Sequence, residues 1–258
     1  MLPREFFSFE QHDGVRVLRL RSDDGTNRLT RDCVLALTDG FHDLARRSEP
    51  LIVAGSRRFF SAGADLSEIA ALTGSEAREF SRIGQTLMTA VERFPAPVCA
   101  AICGYCMGGG LDLALACHRR IASPDAVLAH RGAALGLITG WGGTQRLPRL
   151  VGKAKALEMF VAAEKLHAGD ALRHGLVDGL AEDPVAQAVQ RIHSSVIFTY
   201  SSWCSRFRLF GIEVCVTMLG CYTVNGSWQL PHGRAIRIQH ALELDRPRNA
   251  RGRDLPAF

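Results

Sequence analysis

The chain has 258 residues, of which 47% are hydrophobic, 22% charged and 7% aromatic, and its formal net charge is +5. This composition excludes an intrinsically disordered chain, which would carry fewer apolar residues, and it has neither a collagen nor a coiled-coil repeat. The positive charge consists of scattered arginines rather than a basic face, so we expect no nucleic-acid partner. The length allows one or two domains with a core and a ligand cleft.

Eight cysteines lie mostly in apolar stretches, where cysteine behaves as a small hydrophobic residue. Cys103 and Cys106 have the CxxC spacing of a zinc or redox site, but no second CxxC follows at zinc-ribbon distance, so we expect no metal. The N-terminus lacks the regions of a signal peptide, and no apolar run reaches the roughly 18 to 20 residues of a membrane span. We therefore expect a reduced, cytoplasmic protein without a membrane partner.

The first half of the chain alternates strand and helix patterns. Val15–Leu20 alternates apolar and basic residues, which predicts a half-buried strand. Thr30 is placed to cap a helix whose apolar residues recur every three or four positions as far as Leu44. Leu51–Ala54 predicts a buried strand, and a long helical pattern follows at about residues 75–94.

Val98–Ile102 predicts a second buried strand, which leads into a glycine-rich turn and a helical run over residues 111–117. Short extended segments follow at 120–123 and 126–128. Strands that alternate with helices indicate crossover connections and a mostly parallel sheet, which is the α/β class. The composition changes past about Ile192, and no helical periodicity is convincing over residues 196–224. We therefore predict a core over residues 1–192 and a separate region over 193–258.

Two loops are candidates for ligand binding. Gly108, Gly109 and Gly110 begin a helix, where unpaired first-turn amides and the helix dipole suit a developing negative charge. A tight structural turn is the alternative reading of these glycines. The loop at residues 59–66 also follows a buried strand, and the carboxyl ends of parallel strands meet where α/β folds bind ligands. One amide from each loop would form a two-pronged oxyanion hole.

Three motifs then occur in a recognisable order: FSAGADL at residues 60–66, GYCMGGGLDLA at 104–114 and LGLITGWGGTQRL at 135–147. In this order and spacing they resemble the enoyl-CoA hydratase/isomerase (crotonase) family, over roughly residues 8–182. The resemblance implies an α/β spiral of ββα units and a groove for an acyl-CoA thioester. It also implies a homotrimer or hexamer, whose lid and interfaces come from C-terminal helices, and no cofactor beyond the coenzyme A of the substrate.

The resemblance assigns roles to particular residues. Matched motif to motif, the two oxyanion-hole amides fall on Ala64 and Gly109. The residues expected to contact the adenine, the pantetheine or the acyl chain are Ala62, Asp65, Leu66, Tyr105, Met107, Gly108, Gly132 and Leu135.

The acid–base residues depart from the family pattern. Hydratases of this family typically use two glutamates, of which the first matches Asp112 and the second falls on Gly132. Asp112 acting alone, a bound anion or water at Gly132, and a contribution from His130 or Arg131 are the functional alternatives. In the non-functional reading, Asp112 caps local backbone and His130 is a surface residue. We expect His118 to be structural.

The resemblance implies the activity of an enoyl-CoA hydratase or isomerase that stabilises a thioester enolate. A decarboxylase, a thioester hydrolase and a non-catalytic acyl-CoA-binding protein are the alternatives. Residues from about 193 onward do not show the family's amphipathic helices, which indicates either a divergent, atypical helical end or a shifted reading frame.

Overall fold

The computed structural model describes residues 5–201, 204–209 and 212–217, which form two units divided after Ser201. The strands, in chain order, are β1 (Phe7–His12), β2 (Val15–Leu20), β3 (Arg28–Leu29), β4 (Leu51–Ala54), β5 (Phe59–Ser61), β6 (Gly63–Ala64), β7 (Val98–Ile102), β8 (Tyr105–Met107), β9 (Arg119–Ala122), β10 (Val127–Ala129), β11 (Lys165–His167), β12 (Gly179–Leu180), β13 (Cys204–Leu209) and β14 (Ile212–Thr217). The helices are α1 (Arg31–Ala45), α2 (Leu66–Ala71), α3 (Gly74–Glu92), α4 (Gly109–Ala116), α5 (Gly143–Val151), α6 (Lys153–Val161), α7 (Ala168–Arg173) and α8 (Pro184–Ser201). A 3₁₀ turn spans Gly132–Leu135.

A six-stranded sheet has the order β1-β2-β4-β7-β9-β12. It is parallel from β2 to β12, and β1 pairs with β2 in the antiparallel sense. The predicted strands β2, β4 and β7 have the bounds expected from the sequence. All residues of β4 and β7 are buried, because helices and loops cover both faces of this parallel sheet. The mostly parallel sheet is confirmed.

The chain repeats a unit of two strands followed by helix. In each of the pairs β4/β5, β7/β8 and β9/β10, the first strand joins the large sheet and the second joins a smaller sheet. The smaller sheet has the order β11-β10-β8-β5. Because successive units add neighbouring strands to both sheets, the units stack as a spiral, as the resemblance implied. The loops that leave β5 and β8 are thereby placed side by side.

The long helices follow the sequence pattern closely. Thr30 caps α1, its side chain accepting a hydrogen bond from the Cys33 amide. Thr73 and Glu76 form a reciprocal capping box at the start of α3. The apolar faces of α1 and α3 pack against each other and against the large sheet, where Phe41, Leu87 and other side chains are fully buried. This core supports the helix α4 that begins at the glycine cluster.

The C-terminal part differs from the expectation at one point. Helix α8 continues through residues 196–201, where the sequence pattern was not convincingly helical, so that interpretation was wrong for these residues. In the second unit, β13 and β14 pair in the antiparallel sense. The predicted boundary at residue 192 and the role of residues 193–258 stay predictions, since most of this region lies outside the described residues. Within the described ranges, no helix is long and apolar enough to cross a membrane.

Candidate active site

A cavity of about 700 Å³ opens beside the start of α4. Its walls come from the loop after β5, helices α2, α3 and α6, and the segment from His130 to Trp141. Most of the lining is apolar, and the large apolar side chains are Leu66, Ile69, Leu72, Phe80, Met107, Leu135, Leu137, Ile138, Trp141, Leu157, Phe160 and Val161. A mostly apolar cavity with a few converging polar groups is typical of small-molecule sites. The polar groups here include Asp112, His130 and Thr139.

Two backbone segments approach each other at one wall of this cavity. A Cβ atom on Gly109 would lie 3.3 Å from the Ala64 nitrogen, and one on Gly63 would lie 3.0 Å from the Gly109 nitrogen. Gly63 also has φ +92°, which favours glycine at this position. Gly109 is the first residue of α4, so its amide has no intrahelical acceptor. The close approach brings the Ala64 and Gly109 amides together, as a two-pronged oxyanion hole requires.

The side chain of Trp141 fixes this arrangement from the cavity side. Trp141 is buried, its indole N–H donates to the Phe80 carbonyl, and its ring packs so tightly that Cβ atoms on Gly84 or Gly109 would lie 2.1 Å or 2.4 Å from ring atoms. The adjacent Gly140 carbonyl accepts hydrogen bonds from α3. Gly140 and Trp141 therefore contact both α3 and α4, and the Trp141 ring sets the distance between the two helices.

Asp112 lies one turn into α4, three residues after Gly109. Its side chain is 2% exposed, and the Thr139 hydroxyl donates a hydrogen bond to Oδ2. Burial raises the pKa of Asp112 from 3.8 to about 7, while the Thr139 hydrogen bond, the charge of Arg146 and the Gly143 amide act in the opposite direction. A carboxyl group with a pKa near neutrality is suited to both donating and accepting a proton.

His130 follows β10 and lies beside Asp112. The Nε2 atom of His130 is 3.4 Å from Asp112 Oδ1, and its ring packs on Phe160 with a centroid distance of 5.2 Å. Burial lowers the pKa of His130 from 6.5 to about 4, so the imidazole is neutral at pH 7. The surface location considered for His130 is wrong, because its side chain is only 4% exposed. His118, in contrast, accepts a hydrogen bond from the Val98 amide, as expected of a structural residue.

Two glycines limit what this part of the cavity can hold. A Cβ on Gly132 would lie 2.7 Å from the Leu137 carbonyl oxygen, so the backbone leaves no room for the second glutamate. A Cβ on Gly143 would lie 2.2 Å from Asp112 Oδ1 and 2.9 Å from His130 Nε2. The space beside Asp112 is thus occupied by His130 and closed by the backbone at Gly143.

Comparison with known proteins agrees with this geometry. The family model described as enoyl-CoA hydratase/isomerase matches residues 10–196, which is more than half of the chain. The chain belongs to the enoyl-CoA hydratase/isomerase family. Among solved structures, the chain is similar to enoyl-CoA hydratase from Bacillus anthracis, with 31% identity and a TM-score of 0.70 over 74% of this chain and 77% of that one. It is also similar to Pseudomonas aeruginosa DspI, with 35% identity and a TM-score of 0.69 over 74% and 80%.

Curated relatives match a shorter part of the chain. A Bacillus subtilis protein named "Probable enoyl-CoA hydratase" is 50% identical over 134 residues, which are 52% of each protein. The fatty acid oxidation complex subunit alpha of Shewanella loihica is 46% identical over 138 residues, which are 52% of this chain and 20% of that protein. The chain thus spans about half the length of the first relative and a fifth of the second.

The enoyl-CoA hydratase/isomerase fold brings most of the sequence-predicted residues together. Besides Asp112, the predicted residues that line the cavity are Ala62, Ala64, Leu66, Met107, Gly108, Gly109, Gly132 and Leu135. Asp65 and Tyr105 are outside this lining. Asp65 caps α2 by accepting from the Ser67 and Glu68 amides, and Tyr105 is 38% exposed, with its ring 5.3 Å from that of Phe59. Their binding roles stay predictions.

Sequence reasoning missed several residues that shape the site. Thr139, Trp141 and Gly143 lie in the third family motif, which was used for recognition but given no chemical role. The sequence did contain a signal for Trp141, because glycines on both sides of a large ring indicate that the ring packs closely against backbone. Thr139 could have been noted as a hydroxyl group in the same motif. Leu157 and Val161 of α6 also line the cavity. Their helix lies beyond the motif, and the sequence offered no reason to place it there.

Proposed function

We propose that this chain is an acyl-CoA enzyme that stabilises a thioester enolate and acts as an enoyl-CoA hydratase or isomerase. The observation that carries the proposal is the approach of the Ala64 and Gly109 amides at the wall of an apolar cavity, with the Asp112 carboxyl one helical turn away. The two amides would hold the thioester oxygen as negative charge develops on it. Asp112 would move the proton at the carbon next to the thioester.

Different parts of the acyl-CoA substrate would contact different residues of the cavity. Six of the residues predicted to contact the adenine, the pantetheine or the acyl chain line the cavity: Ala62, Leu66, Met107, Gly108, Gly132 and Leu135. Asp65, the N-cap of α2, would contact coenzyme A, and Tyr105, the first residue of β8, would contact the acyl chain, as the family resemblance implies. We propose that the reaction needs no cofactor besides the coenzyme A of the substrate.

Two further proposals concern the assembly and its location. The family resemblance supports a homotrimer or hexamer, with residues 193–258 contributing to the lid or the subunit interface. The cytoplasmic location is supported by the sequence alone, in which no apolar run has the length of a membrane span. Light scattering coupled to size-exclusion chromatography measures the assembly, and a monomer at micromolar concentration would contradict it.

Turnover of two substrates tests the proposed activity. Purified protein is incubated with crotonyl-CoA, to detect hydration, and with a 3-enoyl-CoA, to detect isomerisation. We expect turnover of at least one, and a large loss in Asp112→Asn, because general acid–base catalysis typically contributes about 100- to 10,000-fold. A folded protein that binds acyl-CoA in calorimetry but turns over neither substrate is a binding protein, and this proposal is then wrong.

A further inference from the structure

Two polar atoms beside the cavity are sealed from solvent and lack an ordinary partner. Asp112 Oδ1 and His130 Nε2 lie 3.4 Å apart, and neither has a hydrogen bond of normal geometry within the described part of the chain. Leaving a buried polar atom without a hydrogen bond destabilises the folded state, so such atoms are rare in native proteins and indicate a role or a missing partner. A proton held between the two atoms gives each of them the partner that it lacks.

The second ring nitrogen of His130 has a different environment. Nδ1 is not among the sealed unpaired atoms, and it has no hydrogen bond to any described residue. His130 itself lines the cavity. The imidazole therefore connects a sealed contact with Asp112, through Nε2, to the cavity, through Nδ1. A neutral imidazole can accept a proton at one nitrogen and release another from the opposite nitrogen.

Within the part of the chain that the structure describes, the groups packed around Asp112 and His130 offer no other partner for the proton that these two residues exchange. Oδ2 of Asp112 is occupied by the Thr139 hydroxyl. Arg146 contributes positive charge, which favours the carboxylate, and its guanidinium is paired with Glu92. Burial raises the pKa of Cys106 well above 9, so this neighbouring thiol stays neutral. Phe160 covers the His130 ring, which leaves Asp112 as the titratable group in contact with Nε2 among the described residues.

We propose that His130 is the second acid–base residue of this site and shares one proton with Asp112. The inference rests on the function proposed above and deepens it. His130 would replace the second glutamate of the family, for which the backbone at Gly132 leaves no room. The replacement comes from a residue two positions earlier in the chain, and it reaches the cavity through a ring that α6 holds in place.

The protons and electrons balance in a single hydration. Water attacks C3 of the 2-enoyl thioester, and its proton passes to Nδ1 of neutral His130 as the π electrons move into an enolate held by the two amides. The Nε2 proton passes to Asp112 Oδ1. Rotation of the carboxyl group about its Cβ–Cγ bond then brings this O–H to the position of Oδ2, from which it protonates C2. The product has gained one water, and the proton on His130 has moved from Nε2 to Nδ1. Asp112 then takes up a solvent proton on the oxygen at the Oδ2 position, turns back and returns this proton to Nε2, while Nδ1 loses its proton to water, which restores the starting state.

His130→Gln tests the inference, with His167→Gln as the matched control. Glutamine keeps an amide near Asp112 but cannot transfer a proton, whereas His167 is an exposed histidine outside the cavity lining. We expect His130→Gln to lower kcat for crotonyl-CoA hydration by about 100-fold or more. Butyryl-CoA affinity and the unfolding midpoint should stay at their wild-type values, and the control should keep wild-type kcat. Wild-type kcat in a folded His130→Gln variant would overturn the inference.

A measurement on the unmodified protein covers the case in which the variant does not fold. Nitrogen NMR of labelled histidine reports the protonation of each ring nitrogen. At pH 8, where Asp112 is ionised, we expect neutral His130 with its proton on Nε2, and at pH 6 a shift of that proton toward Nδ1 as Asp112 becomes the donor. A charged ring or an Nδ1–H tautomer at pH 8 would overturn the inference. Absence of wild-type turnover would instead count against the proposed function, since the NMR result does not depend on it.

Discussion

A Cβ atom on Gly143 would lie 2.2 Å from Oδ1 of Asp112, so the helix α5 begins in direct contact with the carboxyl group of α4. Two helices from different repeats thereby meet at one atom of the candidate acid–base residue. No side chain other than hydrogen fits between them, and the position of Asp112 depends on a glycine 31 residues later in the chain.

Gly143→Ala is expected to destabilise the protein and lower its activity, although alanine is ordinarily better than glycine in a helix by roughly 1 kcal/mol. The added methyl group would displace Asp112 or His130. Gly74→Ala is the matched control, because Gly74 is also the first residue of a helix but has nothing within 4 Å of a Cβ. Thermal unfolding and kcat of both variants check this, and a Gly143→Ala protein as active and stable as Gly74→Ala would contradict it.

Gly109→Ala is expected to lower kcat by about 100-fold, the size of effect seen when one oxyanion-hole donor is lost. The methyl group would meet the Trp141 ring at 2.4 Å and push the Gly109 amide away from Ala64. Because the clash is with Trp141, adding Trp141→Phe should restore part of the lost activity. Kinetics of the two single variants and the double variant measure this coupling. Strict additivity of the two substitutions would show that Trp141 does not set the position of Gly109.

Thr139→Val is expected to raise the pKa of Asp112 further, since it removes a hydroxyl that donates to the carboxylate. The rise of kcat with pH, which follows ionisation of Asp112 near pH 7, should move to higher pH. Thr139→Ser keeps the hydroxyl and should retain the wild-type profile. Rate measurements across pH 5.5 to 9 compare the three proteins, and coincident profiles for wild type and the valine variant would be evidence against this role of Thr139.

The stability of the protein should depend on pH through Asp112. Its pKa is about 7 in the folded chain against an ordinary value of 3.8, so the folded state keeps a proton that the unfolded state has lost. The associated stability is complete below about pH 4 and is lost as pH rises through 7. Measured against Asp112→Asn, the wild-type free energy of unfolding should fall between these limits, by at most about 4 kcal/mol. Denaturant unfolding at pH 5 and pH 8 measures the difference, and parallel pH curves would contradict it.

The predictable parts of the fold are those specified by neighbours in the sequence. The strands at Leu51–Ala54 and Val98–Ile102 are continuous apolar runs, and Thr30 precedes a helix of regular apolar spacing. The two-residue strand Gly63–Ala64 is too short for any periodicity, and it pairs with another two-residue strand far along the chain. Its existence depends on tertiary contacts, which a local pattern does not contain.

The candidate site likewise contains residues that the sequence predicts and residues whose role depends on tertiary packing. The family motifs identified Ala64, Gly109 and Asp112, and the cavity brings all three together. Gly74 and Gly143 look alike in the sequence because each opens a helix, and only the packing beside Asp112 distinguishes them. His130 and Arg131 are polar residues in a largely apolar segment, which does not show whether either side chain is buried. His130 is buried, and Phe160 of a later helix packs against its ring.

Hydrogen exchange at C2 of butyryl-CoA in D₂O tests the central claim most directly, because a saturated thioester can form the enolate without any later step. If the two amides stabilise an enolate and Asp112 moves the C2 proton, the wild-type protein incorporates deuterium at C2, and Asp112→Asn does so far more slowly while it still binds butyryl-CoA. If the folded wild-type protein binds butyryl-CoA without incorporating deuterium, or if Asp112→Asn exchanges as fast as wild type, the account is contradicted.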